Sequence, residues 1–185
     1  MKDNKNEEMS SKIIETLDFF DVVGIANKER FSDLENGRHP VNIFPEFESA
    51  IVFVEGNEGG EMGVFNDIFG AIAAQNDVID YLHENGFKAI PIEPDEMGFS
   101  LVRIGIEAGI GGISPVDSLV IEGLGLTGVI SAILTDAKLI PSEKKENVCI
   151  NCMKCLKVCP IRTVPNAKGD LSKCACGKCV NVCPV

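Results

Sequence analysis

Eight cysteines lie in the last 37 residues of this 185-residue chain, and none in the first 148. Such clustering points to metal ligation rather than to disulfides. The first run is Cys149-x2-Cys152-x2-Cys155-x3-Cys159-Pro160, and the second is Cys174-x-Cys176-x2-Cys179-x3-Cys183-Pro184. Three cysteines at three-residue steps wrap a loop around one cubane, with backbone N–H groups turned toward its sulfides. The fourth sits one helical turn beyond the third and faces away, so it serves the neighbouring cluster. The proline after it cannot continue the helical ladder and turns the chain aside. The spacing therefore predicts two [4Fe–4S] clusters with crossed ligands. Cluster one takes Cys149, Cys152, Cys155 and Cys183; cluster two takes Cys174, Cys176, Cys179 and Cys159. Zinc is the competing reading, but structural zinc takes four ligands, typically as two separated CxxC pairs. The step Cys174-x-Cys176 is one residue short, which leaves a three-cysteine second cluster open.

The elements that position these residues fall into three parts. Residues 12–140 read as a compact α/β domain, 141–148 as a polar linker opened by Pro141, and 149–185 as the cysteine module. Residues 1–11 are polar and read as a frayed, flexible tail. Ile13, Ile14, Leu17 and Phe20 have helical spacing. Strands are expected at 21–26, 50–55 and 87–92, the last stopped by Pro94. The four-glycine stretch 56–63 reads as a flexible loop. A long helix over about 64–85 ends at Gly86, and a shorter one over 99–108 ends at Gly109. Residues 119–121 and 129–135 read as two strands of a closing hairpin. The expected fold class is an α/β sandwich with a mixed sheet and helices on both faces, followed by a small two-cluster domain.

The formal charge of −11 is unevenly spread. The cysteine module carries six basic residues and one acid, a net of +5, while the remainder carries 11 basic and 27 acidic residues, a net of −16. An acidic body disfavours nucleic acid as a general partner. The basic segment balances two cluster anions or, alternatively, docks an acidic redox partner. The longest apolar runs fall far short of the ~20 residues that span a bilayer. The polar start lacks an apolar signal region, so the expectation is a soluble, cytoplasmic protein with no membrane contact.

Beyond the cysteines the residues with chemical interest are few. His83 and Tyr81 lie on the long helix and read as a surface and a packing residue; His39 precedes Pro40 in a loop. Gly109, Gly111 and Gly112 would let a backbone approach a cofactor or form a tight turn. They are no Rossmann fingerprint, because a helix and not a strand precedes them.

Taken in order, several weak motifs resemble the epoxyqueuosine reductase and reductive dehalogenase-like superfamily. They are Phe20-Asp-Val-Val-Gly-Ile-Ala26, Phe44-Pro45 with Ser49-Ala-Ile-Val-Phe53, and Tyr81-Leu82 with Gly86 and Lys88-Ala-Ile-Pro-Ile92. Phe99-Ser100 before Ala108-Gly-Ile-Gly111 follows, then Gly125 and Leu134-Thr-Asp136, then the cysteine module. The resemblance covers roughly residues 15–185. It implies a reductase core that holds a corrinoid, fed with electrons by the clusters. It implies a proton-donating carboxylate near Asp95, the candidate catalytic residue, which otherwise reads as an exposed turn acid in Pro94-Asp95-Glu96. It also places the first cysteine of the second run apart from the other three across an insertion, here trimmed to Ala175. The sequence departs from the family pattern where Gly112 replaces a tryptophan and Pro115 and Val116 replace a lysine and an asparagine. The chain ends two residues after Cys183, without the larger members' extension, and a tRNA substrate is not expected.

Three functions compete. One is an electron-transfer protein whose α/β domain docks a redox partner or forms a homodimer. The second is a small reductase, with a corrinoid or other organic cofactor and a small-molecule substrate. The third is an iron–sulfur redox sensor or accessory protein. Low cluster potentials, near the ~−400 mV of plant-type ferredoxins, and an anaerobic setting are expected.

Overall fold

The computed structural model describes residues 2–34, 39–55, 60–92, 101–126, 129–159 and 178–185. It divides into two units, one of residues 1–110 with 128–144, the other of 111–127 with 145–185. This departs from the expected boundaries at 140 and 148. Residues 111–127 leave the α/β domain for the cysteine module, and 141–144 are structural rather than a linker.

The first unit is built on strands β1 (Val22–Asn27), β2 (Ser49–Glu55) and β3 (Ala89–Ile92). The residues of β2 are buried on both faces up to Val54, which explains its unbroken apolar run. Helix α2 (Gly60–Glu84) connects β2 to β3, and α3 (Leu101–Glu107) follows. The final strand of the unit, β7 (Val129–Thr135), inserts between β2 and β3, giving the order β1-β2-β7-β3. The α/β class is as expected, but the mixed sheet is not: all three ladders are antiparallel. The reason is that insertion. A β2–α2–β3 crossover would make a parallel pair if its strands were neighbours, and β7 separates them and runs against both. Pro91 is tolerated because β3 is an edge strand, with an N–H side that needs no ladder partner.

The row Ile25, Ile51 and Ile133 faces α1 (Lys2–Thr16) and α2, packing with Ile13, Leu17, Val78 and Leu82. Alternation turns the next row, with Gly24, to the opposite face, where α3 packs. A side chain at Gly24 would meet the Ala108 carbonyl and Ile110, so only glycine lets this helix end approach.

Residues 2–11 are not a frayed tail: α1 runs Lys2–Thr16. Met9, Ile13 and Leu17, one turn apart, bury a narrow stripe, and the Ser10 hydroxyl accepts a hydrogen bond from the Ile140 N–H at 2.8 Å. The expected glycine loop is helical from Gly60 onward. Gly86 does end α2, with φ +84, and the Phe87 N–H reaches the Leu82 carbonyl at 3.0 Å in a Schellman turn.

Residues 141–144 strap the edge of β1. The Ser142 N–H donates to the Ile25 carbonyl and the Ile25 N–H to the Ser142 hydroxyl, both at 2.9 Å. Arg30 donates to the Glu107 and Ser142 carbonyls, each at 2.6 Å. Glu107 is only 2% exposed and pairs with Lys144 at 2.8 Å and Arg103 at 3.0 Å. Arg103 also holds Asp33, and this guanidinium keeps the Asp33 carboxyl below its ordinary value. Glu107 is the buried member while Arg103 and Lys144 are partly exposed, so replacing the acid removes two charge-assisted pairs from a buried site. We expect Glu107→Gln to destabilise the protein by about 2 kcal/mol, read as a lower urea midpoint at unchanged slope.

Candidate metal centre

The second unit has its own sheet, β4 (Gly112–Ile113), β5 (Leu119–Ile121) and β6 (Gly125–Leu126), in that order. Residues 119–121 therefore do not pair with 129–135 as expected. Gly123, at φ +79, and Gly125, at φ +70, turn β5 back onto β6 instead. The apolar residues of this sheet pack the cysteines: Val120 and Leu126 are buried with Cys155, and Val148, Cys179 and Cys183 close on them.

The ligand loop starts at Asn147. Its carboxamide oxygen accepts from the Cys149 N–H at 3.0 Å, and its amide donates to the Ile113 carbonyl at 3.3 Å. Asn151 and Met153 both adopt left-handed backbone, φ +53 and +58, which curls the loop between ligands. Helix α4 (Lys154–Val158) then carries Cys155 and ends at Cys159. A short 3-10 helix, Val180–Val182, leads into Cys183.

These elements bring Cys149, Cys152, Cys155 and Cys183 to one concave space of about 300 Å³, part of it open to solvent. Its other walls include Pro115, Val120, Leu126 and Pro184. The thiols surround this space without meeting at a point, since among the described residues no three Cys, His, Asp or Glu side chains gather as a site for a single ion. Burial pushes the Cys155 thiol up, opposed by the Leu156 N–H and reinforced by Cys149 and Cys152. Four soft donors around one apolar-walled space are the donor set that a polynuclear iron–sulfur cluster takes. The residues present fit that group.

Of the second set, Cys159 and Cys179 are half-buried in the same unit, while Cys174 and Cys176 lie outside the described residues. Asp95 also lies outside them. The three candidate glycines lie where the chain packs on itself. A side chain at Gly109 would meet the Glu143 carbonyl, one at Gly111 the Val120 carbonyl, and one at Gly112 the Asn147 amide. His39 caps a short 3-10 helix, accepting from the Val41 N–H at 3.2 Å, and sits edge-on to Phe31 and Phe47.

Sequence reasoning missed Asn147, and it singled out Gly125 only as part of the family pattern, not as a neighbour of Cys183. A side chain on Gly125 would press on Cys183 and the Val185 carbonyl, so β6 backs the crossing ligand. The Asn-x-Cys spacing of Asn147 is a local signal for an Asx turn. Its second partner, in β4, is visible only in three dimensions. We expect Asn147→Ala to weaken iron retention, with chelator-driven loss speeding up about tenfold at the ~1–1.5 kcal/mol of two lost hydrogen bonds. Absorbance decay with a ferrous chelator measures it.

No protein-family model matches the sequence, and no curated protein matches it. Solved structures do. An epoxyqueuosine reductase with an epoxyqueuosine-modified tRNA stem loop aligns over 100% of this chain and 66% of its own, at 15% identity and TM-score 0.70. A catabolic reductive dehalogenase aligns over 97% of this chain and 32% of its own, at 18% identity and TM-score 0.69. A reductive dehalogenase whose structure suggests a mechanism for B12-dependent dehalogenation aligns over 90% of this chain and 24% of its own, at 18% identity and TM-score 0.54. The chain thus has the fold of the epoxyqueuosine reductase and reductive dehalogenase group, as its sequence motifs suggest. It spans 52 to 66% of the length of the epoxyqueuosine reductases it matches. Among the described residues no helix is long and apolar enough to cross a membrane.

Proposed function

We propose that this chain is an iron–sulfur electron-transfer protein with two [4Fe–4S] clusters, relaying low-potential electrons to a redox partner or to a site in its α/β unit. The observation that carries the reading is the gathering of Cys149, Cys152, Cys155 and Cys183 around one concave space, three from the first run and one from the second. Cys159 and Cys179, with Cys174 and Cys176, would hold the other cluster. Each cluster, when bound, stores and passes single electrons. The chain's part is to hold the ligands as thiolates, to keep water back with Val120 and Leu126, and to fix the crossing ligand through Gly125.

The likeness to a B12-dependent dehalogenase favours a second reading, a small corrinoid-dependent reductase with Asp95 as its proton donor. A tRNA partner is carried by one similar reductase. The net charge of −11 disfavours nucleic acid as a general partner of this chain, although its cysteine module is basic.

Anaerobic purification followed by iron, cobalt and visible analysis tests the reading. The expected result is about eight irons per chain, a broad shoulder near ~400 nm that bleaches on reduction, and no cobalt. Cobalt near one per chain would make it the reductase. A redox titration is expected to place both midpoints below about −300 mV, within the low iron–sulfur range. A positive midpoint would contradict the low-potential role.

A further inference from the structure

The large apolar side chains that the second unit leaves exposed are not scattered. Among the described residues they are Ile113, Ile150 and Met153, at 45, 66 and 42% exposure. Ile150 and Met153 line the same concave space as Cys149, Cys152, Cys155 and Cys183, and Ile113 directly precedes Ser114, which lines it too. Asn147 joins the two stretches by its hydrogen bond to the Ile113 carbonyl. Among the described residues, the exposed apolar groups Ile150 and Met153 flank one mouth, and such a grouping marks a contact surface.

Charge says what kind of partner it takes. Lys154 and Lys157 follow Met153 on α4, both exposed, and Lys178 is exposed near the other end of the module. None of the three is in an ion pair among the described residues. In the first unit, by contrast, Lys12, Lys28, Lys88, Arg103, Lys138 and Lys144 all engage carboxylates. These three exposed lysines lie on a segment of +5 in a chain whose remainder is −16. That polarity would steer an acidic protein to the cysteine end and away from the rest.

Resting on the iron–sulfur reading above, we propose that the face formed by Ile150 and Met153, with Lys154 and Lys157 beside it, docks an acidic one-electron carrier protein that feeds the adjacent cluster. The carrier loses one electron and the cluster gains it, with no covalent bond made or broken. A partner seated on Ile150 and Met153 rests on side chains that flank the ligands, so the transfer distance is short.

The test uses reduced flavodoxin, an acidic carrier, mixed anaerobically with the cluster-loaded full chain in a stopped-flow instrument. The second-order rate is expected to fall at least about tenfold from low to high salt. Lys154→Glu with Lys157→Glu should slow it about tenfold at low salt and converge with the native chain at high salt, with iron content and dithionite reduction unchanged. Ile150→Ser should raise the calorimetric Kd for oxidised flavodoxin severalfold. Rates that ignore salt and the lysine variant, in a chain that dithionite still reduces, would overturn the docking surface alone. So would a concentration-dependent dimer in sedimentation that the lysine variant abolishes, which would give this face to a second copy. A native chain without reducible iron would overturn the iron–sulfur reading and the docking surface together.

Discussion

Replacing Cys183 with serine should halve the iron, from about eight to about four per chain, and leave one reducible cluster. The thiolate is the ligand, and a serine hydroxyl ionises far too weakly at neutral pH to replace it. The effect of this change depends on which cluster the cysteine serves. Cys183 belongs by sequence to the second run, but it lines one space with Cys149, Cys152 and Cys155. With crossed ligands, Cys149→Ser and Cys183→Ser damage the same cluster, so the double variant should lose no more iron than either single one. With uncrossed ligands the two losses would add, and the double variant would hold almost no iron. The comparison is a double-mutant cycle read in iron and in spin quantitation of the reduced protein. Cys159→Ser serves as the mirror control: combined with Cys183→Ser it should empty both sites.

The parts of this molecule that sequence reveals are those decided locally. The apolar run 50–55 is a strand buried on both faces, and it reads as one without knowledge of its neighbours. Gly86 ends α2 because the left-handed turn there needs glycine, whatever packs outside. The cysteine spacing is likewise a local geometry, set by the size of a cluster and the pitch of a helix. What the sequence hid depends on distant partners. Helix α1 is mostly polar, and the buried stripe of Met9, Ile13 and Leu17 gains meaning only when α2 lies against it. The turn at Gly123 and Gly125 suits a hairpin with either flanking strand, and nothing local says that β6 rather than β7 pairs with β5. The sheet's parity was hidden in the same way, since β7 lies 37 positions after β3 in the chain, Ile92 to Val129, yet slots between β2 and β3. The glycines from 109 to 112 carried a signal that was real but ambiguous, because close approach by a cofactor and by the chain's own backbone require the same residue.

That ambiguity yields the second large effect. Gly109→Ala should destabilise the protein by about 3 kcal/mol, even before any cofactor is added. Two costs combine. Gly109 has φ +77, at the C′ position of α3, where its N–H reaches the Ile106 carbonyl at 3.0 Å and the Ile110 N–H reaches Gly105 at 3.1 Å. An alanine there accepts a strained left-handed backbone, at about 1 kcal/mol or more. Its methyl group would also collide with the Glu143 carbonyl and lie close to the Lys144 backbone. Neither can swing away as a flexible side chain would, because Ser142 is bonded to Ile25 and Lys144 to Glu107. The strap must lift, and overpacking of a fixed backbone costs roughly 1–3 kcal/mol. Gly86→Ala is the internal comparison, since Gly86 shares the positive φ but has open space around it, and it should cost only the backbone share. Urea unfolding of the iron-free protein separates the two explanations of Gly109. If the residue exists for packing, the iron-free variant is already weakened by more than Gly86→Ala. If it exists to admit a corrinoid, the two variants unfold alike without cofactor, and the difference emerges only as lost cobalt binding.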